Sequence, residues 1–329
     1  MTDPWAAALL SVPVPLDALV LGLALLIDLV WGEPPVRIHP TVLIGRTIGA
    51  AERRAPAADA APAVQLAYGA LMAAAIPAAW GALAWAVSAG LRELHPLLYL
   101  VAAGVLLKTT FSVRMLAREA ARIGNLLAAG DLAAARRRMP ALVSRETGAM
   151  TASQAAGGAI ESVAENSTDS VVGPLLAFAL FGLPGAVVYR AVNTLDSMIG
   201  YHGRYEYLGK AAARLDDLVN LVPARLAAAL LWCASALLPA MHAARSWRVT
   251  WGHRRRTASP NAGWTIAAMA GALNVTLAKP GHYRIGEPAP APDSRHIHQA
   301  NRALYCAALL AAALAGAVIV LAGTPGRAT

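Results

Sequence analysis

The sequence predicts an all-α, polytopic membrane bundle whose polar loops face the cytoplasm. Three observations carry that prediction. Hydrophobic residues make up 57% of the 329-residue chain and charged residues only 14%, against roughly 25% charged residues in soluble domains. Apolar runs at 64–90, 97–111, 224–241 and 303–321 approach or exceed the ~20 residues a helix needs to cross a bilayer. Arginine crowds the segments between them, which the positive-inside rule assigns to the cytoplasm. No repeat of 20–50 residues is visible, so solenoid and propeller architectures are excluded, and a single membrane-embedded domain over 1–329 is expected.

Taken in order, 16–31 is a weaker apolar run, interrupted by Asp17 and Asp28. The N-terminus lacks a basic start and a small-residue cleavage site, so this run is expected to stay in the mature protein. Trp31-Gly32-Glu33-Pro34-Pro35 and His39-Pro40 form a loop, and 55–62 is an Ala/Pro linker. The runs 64–90 and 97–111 suit a membrane hairpin. Arg114, Arg118, Arg122, Arg136, Arg137, Arg138 and Arg145 fill the next polar stretch.

The segment 174–189 has only sixteen residues and is interrupted by Gly182-Leu183-Pro184-Gly185. It either spans or re-enters as two half-helices, an arrangement that protein or water must cover. After 224–241, Arg245, Arg248, Arg254, Arg255 and Arg256 form a second basic stretch. Ser259-Pro260-Asn261-Ala262-Gly263-Trp264 precedes a short apolar helix at 265–273, with Ser259 as its cap. A Pro-rich connector at 286–292 leads to the last run.

The net charge of +9 is compatible with nucleic-acid binding, but no basic stripe with interleaved aromatics exists, so that partner is excluded. The two cysteines, Cys233 and Cys306, lie inside apolar runs and are expected to pack as small hydrophobes rather than as a disulfide.

Chemistry concentrates between 144 and 225. Glu161, Glu165 and Asp169 recur every four residues, on one face of a helix, with Asn166 beside them. Stacked like charges repel unless a cation sits over them, so Mg²⁺ or an arginine is expected there, a solvated face being the plainer alternative. Arg190, Asn193 and Asp196 form a second group, and Arg214, Asp216, Asp217 and Arg225 a third. Mg²⁺ takes one or two carboxylates plus ligand phosphates, and arginine forks suit phosphate and carboxylate. These groups therefore read as a metal–phosphate clamp, or else as an Arg–Asp network tying helices together. His39, in a loop among prolines, is more often structural in such a setting. Ser259 and Asn261, at a helix N-terminus, could meet an anion. Gly203-x5-Gly209-Lys210 has one residue too many for a phosphate-binding loop and is rejected. His296 and His298 lack zinc-like partners and are expected at the surface.

These motifs, in this order, resemble the adenosylcobinamide-phosphate synthase family of cobalamin biosynthesis, also called CobD/CbiB. The resemblance runs almost end to end. It rests on Asp28 with Gly32-Glu33-Pro34 and His39-Pro40, on Ser144-Arg145-Glu146-Thr147, and on Glu161-Ser162-Val163-Ala164-Glu165-Asn166. It continues through Tyr189-Arg190-Ala191-Val192-Asn193-Thr194-Leu195-Asp196, Arg214-Leu215-Asp216-Asp217, Pro223-Ala224-Arg225 and Ser259-Pro260-Asn261-Ala262-Gly263-Trp264.

The resemblance implies an ATP-dependent amide ligase of the bacterial inner membrane. Such an enzyme would join adenosylcobyric acid, a corrinoid, to (R)-1-aminopropan-2-ol or its O-phosphate. ATP and Mg²⁺ are then the expected cosubstrate and ion, and membrane lipid and other late cobalamin-pathway enzymes the expected partners. Glu161, Glu165, Asp196, Asp216 and Asp217 are the expected catalytic carboxylates, with Glu161, Glu165, Asp169, Asp216 and Asp217 as Mg²⁺ candidates. His39, Arg145, Asn166, Arg190, Asn193, Arg214, Arg225, Ser259 and Asn261 are the expected substrate or phosphate contacts. Two other classes compete: an intramembrane Mg²⁺-dependent prenyltransferase, and a membrane regulator of the AmpE type.

Overall fold

A computed structural model describes residues 14–201 and 203–323. In chain order the helices are α1 (Leu16–Val30), α2 (Pro40–Glu52), α3 (Pro62–Leu94), α4 (Pro96–Lys108), α5 (Arg114–Ala128), α6 (Leu132–Arg138) and α7 (Ala152–Ser167). A π-helical turn (Thr168–Val172) leads into α8 (Gly173–Ile199), followed by α9 (Lys210–Val219), α10 (Leu221–Leu237), α11 (Ala243–His253) and α12 (Ala262–Leu273). A small antiparallel hairpin, β1 (Leu277–Lys279) and β2 (Tyr283–Ile285), precedes α13 (Ser294–Gly323).

Local chemistry explains the boundaries. His39 and His95 cap α2 and α4, each ring Nδ1 accepting from an N–H two residues on, with Pro40 and Pro96 in the first turn. Thr151 and Gln154 form a capping box at the start of α7. Gly182, at φ 66° and ψ −162°, breaks α8. Only glycine adopts that conformation readily, and Pro184 follows without an N–H. The interruption expected at 182–185 is therefore present.

Among the described residues, three stretches are long and apolar enough to cross a membrane: Pro62–Leu94, Ala152–Ile199 and Ser294–Gly323, with a fourth if α9 and α10 make one bent span. In α3 only 33% of the apolar window is buried by protein, and Leu71, Leu83 and Trp85 point outward. In water such a face would be unfavourable, whereas lipid accepts it. The protein is a helical membrane protein.

The expected span at 97–111 is shorter than anticipated. α4 has 13 residues, about 20 Å at 1.5 Å per residue, against a hydrocarbon core of ~30 Å. At its end the Thr109 and Thr110 hydroxyls donate to the Leu106 and Leu107 carbonyls. In α1 the two interrupting aspartates are paired. Asp17 accepts from Tyr99 at 2.6 Å and from Arg92 at 2.5 Å, and Asp28 lies 3.1 Å from Lys108 Nζ. The start predicted at 265 for the helix after Ser259 is also displaced. α12 begins at Ala262, and Ser259 Oγ accepts from the Asn261 N–H rather than capping the helix itself.

The described residues form two compact units: 14–112, 173–219 and 312–323 in the first, 113–172 and 220–311 in the second. In the first, α2, α3, α8 and α9 bury Ile44, Ile48, Met72, Ile76, Leu195 and Ile199 together. Gly69 allows α3 to touch the chain at Leu208, whose carbonyl would lie 2.0 Å from an added Cβ. In the second, α7 packs on α5 and α12 through small residues such as Ala155, Ala156 and Ala159. Gly271 lets α12 meet α11 closely, and Ser246 Oγ donates to the Ala268 carbonyl across that contact. Cys233 and Cys306 are free thiols.

Candidate functional site

The second unit holds a small polar cavity against α7. Glu161 and Glu165 stand one turn apart on that helix, so both carboxylates reach the same side. Arg145 comes from the loop between α6 and α7. Its Nη2 donates to Glu161 Oε2 at 2.9 Å, with the Glu161 side chain 6% exposed. The loop is pinned on both flanks: Arg136 Nε donates to the Met150 carbonyl at 2.7 Å, and the Thr147 hydroxyl to the Arg136 carbonyl at 3.1 Å. Gly158 makes room for the guanidinium, since a Cβ there would sit 2.9 Å from Arg145 Nη2.

The hairpin supplies the opposite wall. Lys279 and Tyr283 are cross-strand partners, and directly paired residues of an antiparallel ribbon project from the same face. They close a cavity of about 100 Å³ with Ser144, Arg145, Glu161 and Glu165. A larger cavity of about 290 Å³, reaching Gln154 and His282, shares Arg145 and Lys279 with it. Burial, then the charges of Glu161 and Glu165, push the Tyr283 hydroxyl well above the usual phenol range. It stays protonated and available as a donor.

Arg145 is not fully satisfied. Its Nε and Nη1 are buried with no hydrogen-bond partner. Buried guanidinium donors left without acceptors are costly, and each of these N–H groups suits an oxygen of a carboxylate or phosphate. The cavity thus brings two carboxylates, two cations and a protonated phenol around a space sized for a small polar ligand.

Of the other expected residues in this unit, Asn166 turns back on its own helix. It donates to the Ser162 carbonyl and accepts from Ser170. Asp169 falls in the π-turn, where the extra residue per turn takes it out of the four-residue register, and it does not line the cavity. Arg225, Ser259 and Asn261 do come together. Arg225 Nη1 donates to Asn261 Oδ1 at 2.7 Å beside the start of α12, and its guanidinium lies 4.9 Å from the Trp264 ring centre.

The first unit holds its own polar groups. Lys108, with its side chain 1% exposed, bonds Glu33 at 2.7 Å, and Glu33 in turn meets His39 Nε2 at 3.0 Å. Burial alone would raise the Glu33 carboxyl, but the His39 hydrogen bond and the Lys108 charge outweigh it and hold the group at about 2. Both ring nitrogens of His39 are engaged, one by Glu33 and one as the cap of α2. Arg190 clasps the Thr110 carbonyl and donates to Asn193 Oδ1 at 3.1 Å. Asp196, Asp216 and Asp217 gather closely enough to feel one another's charge. Arg214 lies 3.8 Å from Asp217 with its side chain 76% exposed. Among the described residues, no group of three or more His, Cys, Asp or Glu side chains is placed to hold a metal by itself.

Lys108, Lys279 and Tyr283 were not among the expected site residues. A lone lysine ending an apolar run was a usable signal. So was the Pro280-Gly281 pair between two short β-prone stretches, which reads as a hairpin turn.

The comparisons with known proteins agree with the motif order. The family model described as CobD/Cbib protein matches residues 21–318. The chain is 40% identical over 318 residues to cobalamin biosynthesis protein CobD of Chromobacterium violaceum, covering 93% of this chain and 98% of that one. It is 40% identical over 269 residues to the CobD of Dehalococcoides mccartyi, covering 82% and 86%. It is 36% identical over 273 residues to cobalamin biosynthesis protein CbiB of Salmonella paratyphi B, covering 81% and 84%. No solved structure matches. With nearly the whole chain matched in one order, the protein belongs to the CobD/CbiB family.

Proposed function

We propose that the protein is an enzyme of cobalamin biosynthesis. It acts in the bacterial inner membrane as an ATP-dependent ligase joining adenosylcobyric acid to (R)-1-aminopropan-2-ol or its O-phosphate. The carboxylate is first phosphorylated: its oxygen takes the terminal phosphoryl group of ATP, and ADP leaves. The amine nitrogen then attacks the acyl carbon, the C–O bond to phosphate breaks, and inorganic phosphate departs. The amine must shed its proton before it can attack.

The observation that carries this reading is the cavity around Arg145. The free Nε and Nη1 of Arg145, with the Lys279 ammonium, suit an anionic group on a substrate. Glu161 and Glu165 offer the opposite charge one turn away, where an ammonium would sit, and Glu165 is placed to accept its proton. Tyr283 donates a hydrogen bond into the same space. ATP brings phosphate charge that Mg²⁺ neutralises when bound. Family membership favours this reading over a prenyltransferase or a regulator.

The test has two parts. The gene should restore cobinamide synthesis in a bacterial strain blocked between cobyric acid and cobinamide, and failure there would refute the reading. Purified Arg145→Lys and Glu165→Gln variants should insert normally yet turn over at least ~100-fold more slowly, in line with the loss of other preorganised electrostatic or acid–base groups. Unchanged turnover in both would remove the cavity from the mechanism.

A further inference from the structure

α11 carries an aromatic face that the ligase chemistry does not use. Trp247 and Trp251 lie one turn apart, 51% and 45% exposed, while Ser246, Val249 and Thr250 on the other side are buried against the protein. The two indoles continue a ladder. Ring centres are 5.4 Å apart from Trp232 to Trp247, 5.5 Å from Trp247 to Trp251, and 5.5 Å from Trp251 to Trp264. Trp232 sits on the apolar helix α10, so the ladder runs from a candidate spanning segment onto an amphipathic one.

Cations frame this face. Arg254 lies 4.4 Å from the Trp251 ring centre and 5.4 Å from that of Trp264, and Arg248 and Arg255 are exposed. In water, a contiguous exposed indole surface is costly. At the boundary between acyl chains and headgroups, indole rings are favoured, and arginines beside them reach lipid phosphates.

We propose that α11 lies on the bilayer surface. Trp247 and Trp251 enter the headgroup–acyl boundary, and Arg248 and Arg255 meet the phosphates of anionic lipids. The helix is also tied to the hairpin that carries Lys279 and Tyr283. His253 Nδ1 accepts from the Gly286 N–H at 3.0 Å, Arg256 donates to the Arg284 carbonyl at 3.1 Å, and Arg245 and Arg248 each stand 3.4 Å from Glu287. A surface-anchored α11 therefore holds the hairpin wall of the cavity in place. The proposal stands independently of the ligase reading.

The test uses the full chain in nanodiscs of phosphatidylcholine, with and without phosphatidylglycerol. Tryptophan emission is compared between the wild type and a Trp247→Phe/Trp251→Phe variant, which keeps aromatic rings at both positions. The emission lost in the variant should be quenched by lipids brominated near the headgroup and spared by aqueous iodide. Quenching by iodide but not by those lipids would overturn the proposal and leave the face open to water or to a protein partner. Omitting phosphatidylglycerol should reduce the shallow quenching in the wild type and have no effect in Arg248→Gln/Arg255→Gln. A wild type indifferent to the anionic lipid would overturn the arginine assignment.

Discussion

Replacing Lys108 by methionine keeps the unbranched apolar stem of the side chain and removes its charge. Lys108 is 1% exposed and faces two carboxylates, Glu33 at 2.7 Å and Asp28 at 3.1 Å, with the Phe111 carbonyl at 3.1 Å. Removing one partner from a buried ion cluster costs about 3–5 kcal/mol, because uncompensated charge stays behind. The carboxyl of Glu33 gives a second route to the magnitude. Its fall from the usual 4.5 to about 2 corresponds to roughly 3 kcal/mol of favourable interaction, of which the lysine supplies a part alongside His39.

The pH dependence distinguishes this cause from a simple packing defect. In the wild type, Glu33 has a depressed folded pKa. Its contribution is complete above about 4.5 and is lost as pH falls through about 2. Stability should therefore not depend on this group between pH 8 and 5. In Lys108→Met the burial of Glu33 is no longer offset by the lysine. With burial then facing only the His39 and Ser112 hydrogen bonds, the carboxyl should move above its unfolded value of 4.5. The folded state then binds protons more readily than the unfolded chain, so part of the lost stability should return as pH is lowered from 8 to 5. Denaturation of the detergent-solubilised protein at both pH values measures this. A variant within about 1 kcal/mol of the wild type, with the same pH profile, would refute the ion-cluster argument.

Two further outcomes follow from the geometry. Tyr283→Phe removes the donor facing Glu161 while keeping the ring, so folding should be intact and turnover lower by about 10-fold, as expected for one lost hydrogen bond to a charged group; steady-state kinetics on the purified variant would check it. Gly69→Ala places a methyl 2.0 Å from the Leu208 carbonyl, so α3 and the chain before α9 must separate, at a cost of about 1–3 kcal/mol read as a lower melting temperature.

The membrane class, the interrupted segment at 182–185 and the family were legible in the residues alone. Each is read along the chain with no tertiary contact needed: the length of an apolar run, the backbone freedom of Gly182, and the order of motifs. Helical spacing also paired Glu161 with Glu165 correctly, because two residues four apart meet whatever surrounds the helix. The same rule misplaced Asp169. A π-turn changes the register, and nothing in the local composition announces one. Arg145 was identified as a cation for the site, but its partner, its buried free donors and its dependence on Gly158 come from packing between a loop and a helix. Lys279 and Tyr283 enter the cavity only because a hairpin more than a hundred residues downstream folds over α7. Spacing along a chain specifies which side chains share one helical face. Which loop, strand or arginine closes over that face depends on contacts between segments distant in sequence, and those only the tertiary structure decides.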